Sequence, residues 1–431
     1  MSDKRPIENK STVVPMTIVA ILFFILGFAT WINGALMPYL KQILQLTPFQ
    51  ASLILFHFYI AVTFTAIPSS LLIRRIGYKN GMAAGMLTMM LAGLLFIPAA
   101  KTQQFGLFLF AQLVMGSGIT LLQTAVNPYV VRIGPEESAA ARISIMGILN
   151  KGAGVVAPLV FAALITSGFR EVGTELSQAQ IDEMANRLIF PYLGMAGFIG
   201  VLALAVKLSP LPELEEDDDG QQTSHAHLKE VLSHPHLILG AFAIFFYVAV
   251  EVIAGDTIGS FALSLGVKNY AVMTSYTMVC MVVGYILGIL LIPRLISQQR
   301  ALTVSAILGI ILTIAIVTGS SESFILAETF LIPLGGARLP DTLLMIALLG
   351  FANAIVWPAV FPLALSGLGK LTSIGSALLI MGISGGALGP IAWSLTSSIS
   401  ESGEQGGYLV MLPCYLFILF YAVKGHTMKR W

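Results

Sequence analysis

Charged residues are scarce in this chain. Asp, Glu, Lys and Arg together make up 10% of its 431 residues, whereas soluble domains contain roughly 25%. Hydrophobic residues make up 56%, and the mean hydropathy is +0.87. A chain with so few charges cannot cover a surface that faces water. The composition therefore excludes an ordinary soluble domain and indicates that lipid surrounds most of the fold.

Further signals are absent, and each absence removes a class of protein. The two cysteines, Cys280 and Cys414, lie inside predicted helices and indicate neither a disulfide framework nor a metal site. The net charge is +1 and no basic stretch stands apart from the loops, which argues against nucleic acid as a partner. No phosphate-binding loop indicates a primary pump. No cluster of nucleophile, base or metal ligands indicates an enzyme, so the sequence predicts no cofactor apart from a coupling H⁺ or Na⁺.

What the chain does contain is a series of long apolar runs. About 20 residues of helix cross a ~30 Å hydrocarbon core, and backbone groups in lipid must be satisfied within their own segment, which favours helices over strands. The first run is too long for a signal-peptide core and is expected to stay as a span. The sequence predicts an all-α polytopic membrane protein with twelve transmembrane helices, at 15–38, 49–74, 79–100, 104–132, 143–167, 188–208, 236–266, 270–296, 300–318, 341–368, 372–398 and 406–424.

A polar stretch in the middle of the chain divides these spans six and six. Residues 211–237 are first acidic and then carry four histidines, for which a solvated linker is preferred to a metal site: His225, His227, His234 and His236. A weak repeat relates the halves, because AVNPYV resembles AIVWPAVFP and GVVAP resembles GALGP in similar positions. The predicted domains are a tail at 1–14, six-helix bundles at 15–208 and 237–424, a linker at 209–236 and a tail at 425–431.

The distribution of positive charge predicts the orientation. Of the 23 Lys and Arg residues, 16 fall on the side of the termini and 6 on the opposite side. Cytoplasmic loops carry the excess of Lys and Arg, so both termini are expected in the cytoplasm. The compact loops, together with the family resemblance given below, predict a bacterial inner (plasma) membrane, with the protein as a multi-pass monomer in the bilayer.

Polar residues form a stripe on the fourth span. Gln112, Gly116, Gln123 and Asn127 fall within about 60 degrees of one another at 3.6 residues per turn. Such a stripe either joins helices through amide hydrogen bonds or lines a hydrated cavity that binds a polyol. The tenth span repeats the pattern with Gly350, Asn353 and Trp357. An aromatic ring beside an amide favours a sugar site, since amides bond hydroxyls and the ring packs on the sugar's C–H face.

Ionisable residues also fall deep inside predicted spans. Lys151 lies ~14 Å into its helix, too deep for easy snorkelling, and a buried charge of this kind indicates function and requires a partner. Glu251 is the partner suggested by depth and sign. Asp256 lies about 140 degrees round the same helix, and we expect it nearer the outer end and more hydrated. His57 is either a proton relay or a locally hydrogen-bonded histidine.

Several stretches resemble the fucose/glucose-galactose branch of the major facilitator superfamily of sugar porters. They are FFILGFATWINGALMPYLK (23–41), SSLLIRRIGYKNGMAAG (69–85), QTAVNPYVVRIGPEE (123–137), LNKGAGVVAP (149–158) and FFYVAVEVIAGDTIGSF (245–261). The resemblance implies the major facilitator fold, with a sugar bound between the halves by the first, fourth, seventh and tenth helices. It also implies a conformational gating role for Arg74, Arg75 and Lys79 on the cytoplasmic side.

The chain departs from the fucose-proton members of that branch at two acidic positions. It has Asn33 and Gly34 where those members carry an acid on the first helix, and Gln123 where they carry a glutamate. Three alternatives follow: coupling through Glu251 or Asp256, Na⁺ in place of H⁺, or an uncoupled facilitator. The Asn150–Lys151 pair resembles glucose/galactose and N-acetylglucosamine members, which favours a glucose-like hexose over fucose.

These observations predict a secondary active transporter that imports a hexose by alternating access, with a cation as the coupling ion. The alternatives are an N-acetylglucosamine or fucose carrier, a drug or lipid exporter of the same superfamily, or a channel. The predicted substrate-binding residues are Asn33, Gln112, Gln123, Asn127, Asn150, Glu251, Asn353 and Trp357. The predicted coupling or charge-pair residues are Lys151, Glu251, Asp256 and His57.

Overall fold

The computed structural model describes residues 13–132, 139–165, 177–212, 230, 232–292, 294–368 and 372–429. Within these ranges twelve helical segments are long and apolar enough to cross a membrane, and no residue there forms a strand. Five of the spans contain a second helix. The helices are Val13–Ile43, Pro48–Ile76, Tyr78–Thr102, Phe105–Arg132, Ala139–Ile165, Gln178–Arg187 with Ile189–Leu208, Pro235–Asp256 with Ile258–Ser264, Met273–Leu291, Gln298–Thr318, Asp341–Ala354 with Val356–Leu365, Thr372–Met381 with Gly385–Ile399, and Glu404–Gly407 with Met411–Val423.

Because the number of spans is even, both ends of the chain lie on one side of the bundle. We call this side the termini face and the opposite side the far face. The first span begins at Val13 on the termini face and ends at Ile43 on the far face. The predicted domain boundaries fall partly outside the described residues, at 1–12 and within 213–229, and stay predictions.

Local sequence signals set several helix ends. Thr47 caps the second span with a capping box to Gln50, and Pro48 occupies the first turn, where its missing N–H costs nothing. Gly77 joins the second and third spans in a one-residue turn with φ of 85°. That backbone conformation favours glycine, so the turn inside the RRIGYK motif depends on this residue.

Two of the five spans that contain a second helix, the tenth and the seventh, also carry predicted site residues. The tenth span breaks at Ile355, because Pro358 has no N–H to bond the carbonyl of Ala354 and its ring crowds that carbonyl. The seventh span, predicted as one helix to residue 266, ends at Asp256 and restarts at Ile258. No proline causes this second break.

The freed carbonyls of the seventh span are satisfied by its neighbour. Thr274 of the eighth span donates its hydroxyl to the carbonyl of Gly255 at 2.7 Å, and Thr277 donates to Ala254 at 3.2 Å. Buried backbone carbonyls require such partners. The eighth span therefore stabilises the break, and a reading of the seventh span alone cannot foresee it.

The helices pack into two halves. The first span lies against the fifth, and the second and third against the fourth; in the other half the eighth lies against the tenth and the ninth against the twelfth. Across the halves the fifth span contacts the eighth, and the second contacts the eleventh. Small residues allow close approach, as in membrane helices generally. Gly85 and Gly118, for example, place the third and fourth spans backbone to backbone.

Candidate substrate and coupling site

An ion pair joins the two halves at the middle of the bundle. Lys151 Nζ of the fifth span lies 2.5 Å from Glu251 Oε1 of the seventh. Their side chains are 11% and 9% exposed, and the ammonium lies 4.4 Å from the ring centroid of Trp31. Glu251, the partner that depth and sign predict for Lys151, is thus the residue that Lys151 contacts. Trp31 was not singled out from the sequence, although it stands two residues before Asn33.

Aromatic side chains surround Glu251 in its own half. The buried Tyr247 hydroxyl, one turn earlier on the seventh span, is within hydrogen-bonding reach of the Glu251 carboxylate. The ring centroids of Tyr247 and Trp357 are 6.3 Å apart, and Trp357 stacks on Phe361 at 5.5 Å with an interplanar angle of 23°. Trp357 and Phe361 are only half-buried. This half therefore offers a carboxylate, a phenol and a partly exposed aromatic surface side by side.

The polar stripe of the fourth span changes character along its length. Gln112, toward the far face, is 1% exposed and donates to Asn33 Oδ1 at 2.9 Å. Gln123 is half-buried, and Asn127, toward the termini face, is exposed. Exposure along this stripe therefore increases from the far face to the termini face. For Gln112 and Asn33 the structure favours the first alternative, a dry hydrogen bond between helices, over contact with a substrate.

Two other predicted binding residues also lie in contacts between helices. Asn353 is 1% exposed and accepts a hydrogen bond from the Tyr415 hydroxyl of the twelfth span at 2.8 Å. Asn150 is half-buried, and its Nδ2 lies 3.4 Å from the carbonyl of Phe23 on the first span. Since burial in a helix contact removes an amide from the solvent, the structure corrects the expectation that Asn353 faces an open cavity.

The structure places Asp256 differently from the sequence expectation. The side chain is 0% exposed rather than hydrated. The reason is the approach of the first span, whose Gly34 packs against Asp256 and Thr274 at the break in the seventh span. On the seventh helix alone Asp256 falls near an end, which predicts hydration; the covering group belongs to another span.

His57 and the gating residues have mainly local contacts. His57 Nδ1 lies 2.7 Å from the carbonyl of Leu53, one turn earlier on its own helix, which fits the locally hydrogen-bonded alternative. Lys79 donates to the carbonyl of Ser209 at 2.6 Å and so ties the third span to the end of the sixth. Arg74 and Arg75 are exposed at the termini face. Their gating role stays a prediction.

The linker histidines have backbone partners where the structure describes them. His234 Nδ1 lies 2.9 Å from the carbonyl of Glu230, and His236 Nε2 lies 3.1 Å from that of Ser366. His225 and His227 lie outside the described residues. The interpretation of this stretch as a solvated linker stays a prediction.

Polar contacts close the far face. Lys41 at the end of the first span pairs with Glu404 at 2.5 Å, and the neighbouring Gln42 donates to the Tyr270 hydroxyl at 2.8 Å. Nearer mid-span, the Ser275 hydroxyl donates to the carbonyl of Val155 at 2.7 Å. Each contact joins one half to the other. The described interactions across the halves thus run from Lys151 to the far face, and the structure is closed on that side.

Comparison with known proteins identifies the family. The sequence profile described as Major Facilitator Superfamily matches residues 19–392. The chain belongs to the major facilitator superfamily. This is a family of transporters, not of enzymes, and the predicted fold class is confirmed.

Similar proteins lie in the branch that the sequence motifs indicate. The glucose/galactose transporter of Brucella abortus biovar 1 (strain 9-941) is 33% identical over 416 residues, with 95% of this chain and 93% of that protein covered. The L-fucose-proton symporter of Escherichia coli (strain K12) is 28% identical over 446 residues, covering 97% and 95%. A crystal structure of FucP in the outward conformation matches with a TM-score of 0.70 and 25% identity, over 96% of this chain and 99% of that one. The resemblance to the fucose/glucose-galactose branch is confirmed.

Proposed function

We propose that the chain imports a hexose, with glucose or galactose as the first candidates, by cation-coupled alternating access. The similar proteins described above are named as a glucose/galactose transporter and an L-fucose-proton symporter. The excess of Lys and Arg on the termini face supports a cytoplasmic position for both termini in a bacterial inner membrane. With that orientation, the described conformation is open to the cytoplasm and closed to the outside. The protein acts as a monomer in the bilayer.

The observation that carries the proposal is the combination of a sealed far face with a stripe that becomes exposed toward the termini face. Asn127 is exposed, Gln123 is half-buried and Gln112 is buried. A channel needs a continuous path across the membrane. A carrier needs a central site that is closed off from one side of the membrane while it is accessible from the other. The Lys151–Glu251 pair lies at the boundary between the closed and accessible parts.

The side chains at this boundary suit a sugar. Gln123 and Asn127 supply amide donors and acceptors for hydroxyls, and Trp357 supplies a flat apolar surface for a C–H face of the ring. Glu251 and Lys151 add charged hydrogen-bonding groups, which bind hydroxyls more strongly than neutral groups do. A drug or lipid exporter would instead need a largely apolar cavity, which these residues do not form.

Uptake by proteoliposomes tests the function. Purified protein is reconstituted, and uptake of labelled glucose is measured with galactose, N-acetylglucosamine, L-fucose and a lipophilic drug as competitors. We expect saturable uptake that glucose or galactose inhibits best, and an apparent constant that is raised about 2- to 13-fold in the Trp357→Ala variant. Liposomes without protein and the variant Glu328→Gln, which changes an exposed far-face acid, are the controls. Absence of saturable uptake for every sugar would refute the proposal, and inhibition by the drug alone would favour the exporter.

The orientation has a separate test. Single cysteines are introduced at the exposed positions Gln45 on the far face and Arg75 on the termini face, after Cys280 and Cys414 have been changed to serine. A membrane-impermeant thiol reagent added to intact cells should label position 45 and spare position 75. The opposite labelling would place the termini outside.

A further inference from the structure

The carboxyl group of Asp256 has no hydrogen-bond partner of ordinary geometry among the described residues. The residue is 0% exposed, and neither carboxylate oxygen accepts a hydrogen bond in the described part of the chain. Asp341 shows the ordinary arrangement for a buried acid. It is 6% exposed and accepts from the Ser323 hydroxyl at 2.5 Å and from the backbone N–H groups of Ile325 and Leu326 at 3.1 and 2.8 Å. Since buried polar groups are nearly always partnered, Asp256 requires an explanation.

No counter-charge belongs to Asp256 alone: the backbone N–H of Gly34 stands near the carboxyl, and the nearby Lys151 ammonium is already paired with Glu251. Gly34 of the first span presents backbone, and Oδ1 lies 3.0 Å from the point that a Cβ of Gly34 would occupy. The Thr274 hydroxyl of the eighth span is already donated to the carbonyl of Gly255. Tyr59 approaches from the second span as a neutral phenol. The C-terminal end of a helix, where Asp256 stands, also disfavours negative charge.

Charge counting over the buried cluster gives the same result. Lys151 and Glu251 already form a pair, and Asp256 lies five residues from Glu251, about 7.5 Å along the helix axis at 1.5 Å per residue. One cation and two carboxylates leave one uncompensated negative charge. An isolated buried charge is strongly unfavourable, and one added proton makes the cluster neutral.

We propose that Asp256 binds one proton when the far face closes and that this proton is the coupling ion. The inference rests on the proposed function as a transporter and specifies its ion and its binding group. When the first and eighth spans separate from the end of the seventh, the carboxyl meets water, and an O–H bond forms or breaks there with H⁺ exchanged to solvent. On the other side the proton leaves by way of Glu251, which lies nearer the termini face and borders the accessible space.

The packing favours a proton over a metal cation. Thr274 Oγ1, Asp256 Oδ1 and the carbonyl oxygen of Gly255 all lie within 3.0 Å of the point that a Cβ of Gly34 would occupy, and the Cα of Gly34 fills the space between them, so this packing leaves no room for a metal ion. The described residues contain no group of three or more His, Cys, Asp or Glu able to hold a metal. A proton needs one oxygen atom and no additional space.

The variant Asp256→Asn tests the role because it imitates the neutral carboxyl without titrating. In proteoliposomes, we expect the variant to keep sugar counterflow, an exchange that needs no gradient. It should lose accumulation driven by a proton gradient, so that the internal-to-external sugar ratio falls to about one, and it should lose sugar-induced proton uptake. Glu328→Gln is the matched control and should accumulate sugar like the wild type. Proton-driven accumulation by Asp256→Asn, or wild-type accumulation driven by sodium instead, would overturn the proposal.

A measurement without sugar separates this inference from the proposed function and does not depend on the variant folding. Spin labels at Gln45→Cys and Ser402→Cys, one in each half at the far face, report closure in the background without Cys280 and Cys414. Protonation stabilises the closed state, so the short-distance population should be high at low pH and fall as pH rises. A flat response in the otherwise wild-type protein would refute the proposal even if sugar uptake is normal.

Other titratable groups near the interface need their own controls. Glu404 pairs with Lys41 at the far face, and His57 lies on the second span, which packs against the eleventh. Glu404→Gln and His57→Gln should keep the pH response of the spin-label distance, whereas Asp256→Asn should abolish it. If the pH response were lost in Glu404→Gln or His57→Gln and kept in Asp256→Asn, the titrating group would be Glu404 or His57 and not Asp256.

Discussion

The Lys151–Glu251 pair is expected to hold the far face closed, and its removal has a calculable effect. Lys151→Met keeps most of the side-chain volume but leaves the Glu251 carboxylate, 9% exposed, without its cation. Breaking a buried pair in this way costs about 3–5 kcal/mol. Glu251 keeps the Tyr247 hydroxyl and borders the accessible space, so we take the lower figure. About 3 kcal/mol corresponds to a shift of roughly 100-fold away from the closed state, in which the carboxylate is largely buried.

The assay is the far-face spin-label distance between positions 45 and 402, together with thermal unfolding in detergent. Lys151→Met and Glu251→Gln should each lengthen the distance and lower the unfolding temperature. The double variant removes both charges and should be less perturbed than the sum of the single effects, with a coupling energy of about 0.5–3 kcal/mol. The charge swap should recover only part of the loss, because the Trp31 ring favours a cation at position 151.

The exposed Arg338–Glu328 pair provides the control. Its side chains are 59% and 53% exposed, so Glu328→Gln should change stability by at most about 1 kcal/mol and leave the distance unaltered. Strictly additive effects of the two single variants at positions 151 and 251, or an unchanged distance distribution, would show that the pair does not hold the halves together.

Three further predictions follow from the same geometry. Gly34→Val should lock the far face open and stop transport, because the added Cβ would collide with Thr274 and Asp256. Gly106→Val, which has open space around it, should do neither. A closed spin-label distance in Gly34→Val would contradict this prediction. Asn127→Ala should raise the apparent constant for sugar uptake about fivefold, since one hydrogen bond is worth about 1 kcal/mol, and an unchanged constant would remove Asn127 from the site. Trp357→Ala should weaken sugar binding by about 2- to 13-fold from lost stacking, about 0.5–1.5 kcal/mol, and Trp357→Phe should retain most of the affinity; equal losses in both variants would argue against stacking.

The number and type of spans follow from the sequence because each lipid-facing helix must satisfy its own backbone. The break at Ile355 was also within reach of sequence reading, since Pro358 specifies it, although the prediction treated 341–368 as one helix. The break at Asp256 could not be predicted from the seventh span alone. The hydroxyls that bond the carbonyls freed by this break belong to Thr274 and Thr277 of another span. Where a helix ends thus depends on tertiary partners as well as on local residues.

The site divides in the same way. Lys151 and Glu251 could be paired from the sequence because two deep charges of opposite sign in an apolar chain have few alternatives. The amide stripe could not be resolved, because Gln112 bonds Asn33 in a dry contact while Asn127 is exposed on the same helix face. Helical periodicity gives the direction of a side chain, but the distance to the next helix decides whether water or protein lies there.

The character of the far-face seal explains how it can open again. It combines polar contacts such as Lys41–Glu404 and Gln42–Tyr270 with buried apolar side chains from both halves, such as Leu40 and Phe261. Each polar contact contributes only about 1 kcal/mol net, because water replaces the lost partner on opening. Alternating access requires both states to lie within a few kcal/mol, so the buried charges of Lys151, Glu251 and Asp256 are large enough to shift the balance between them.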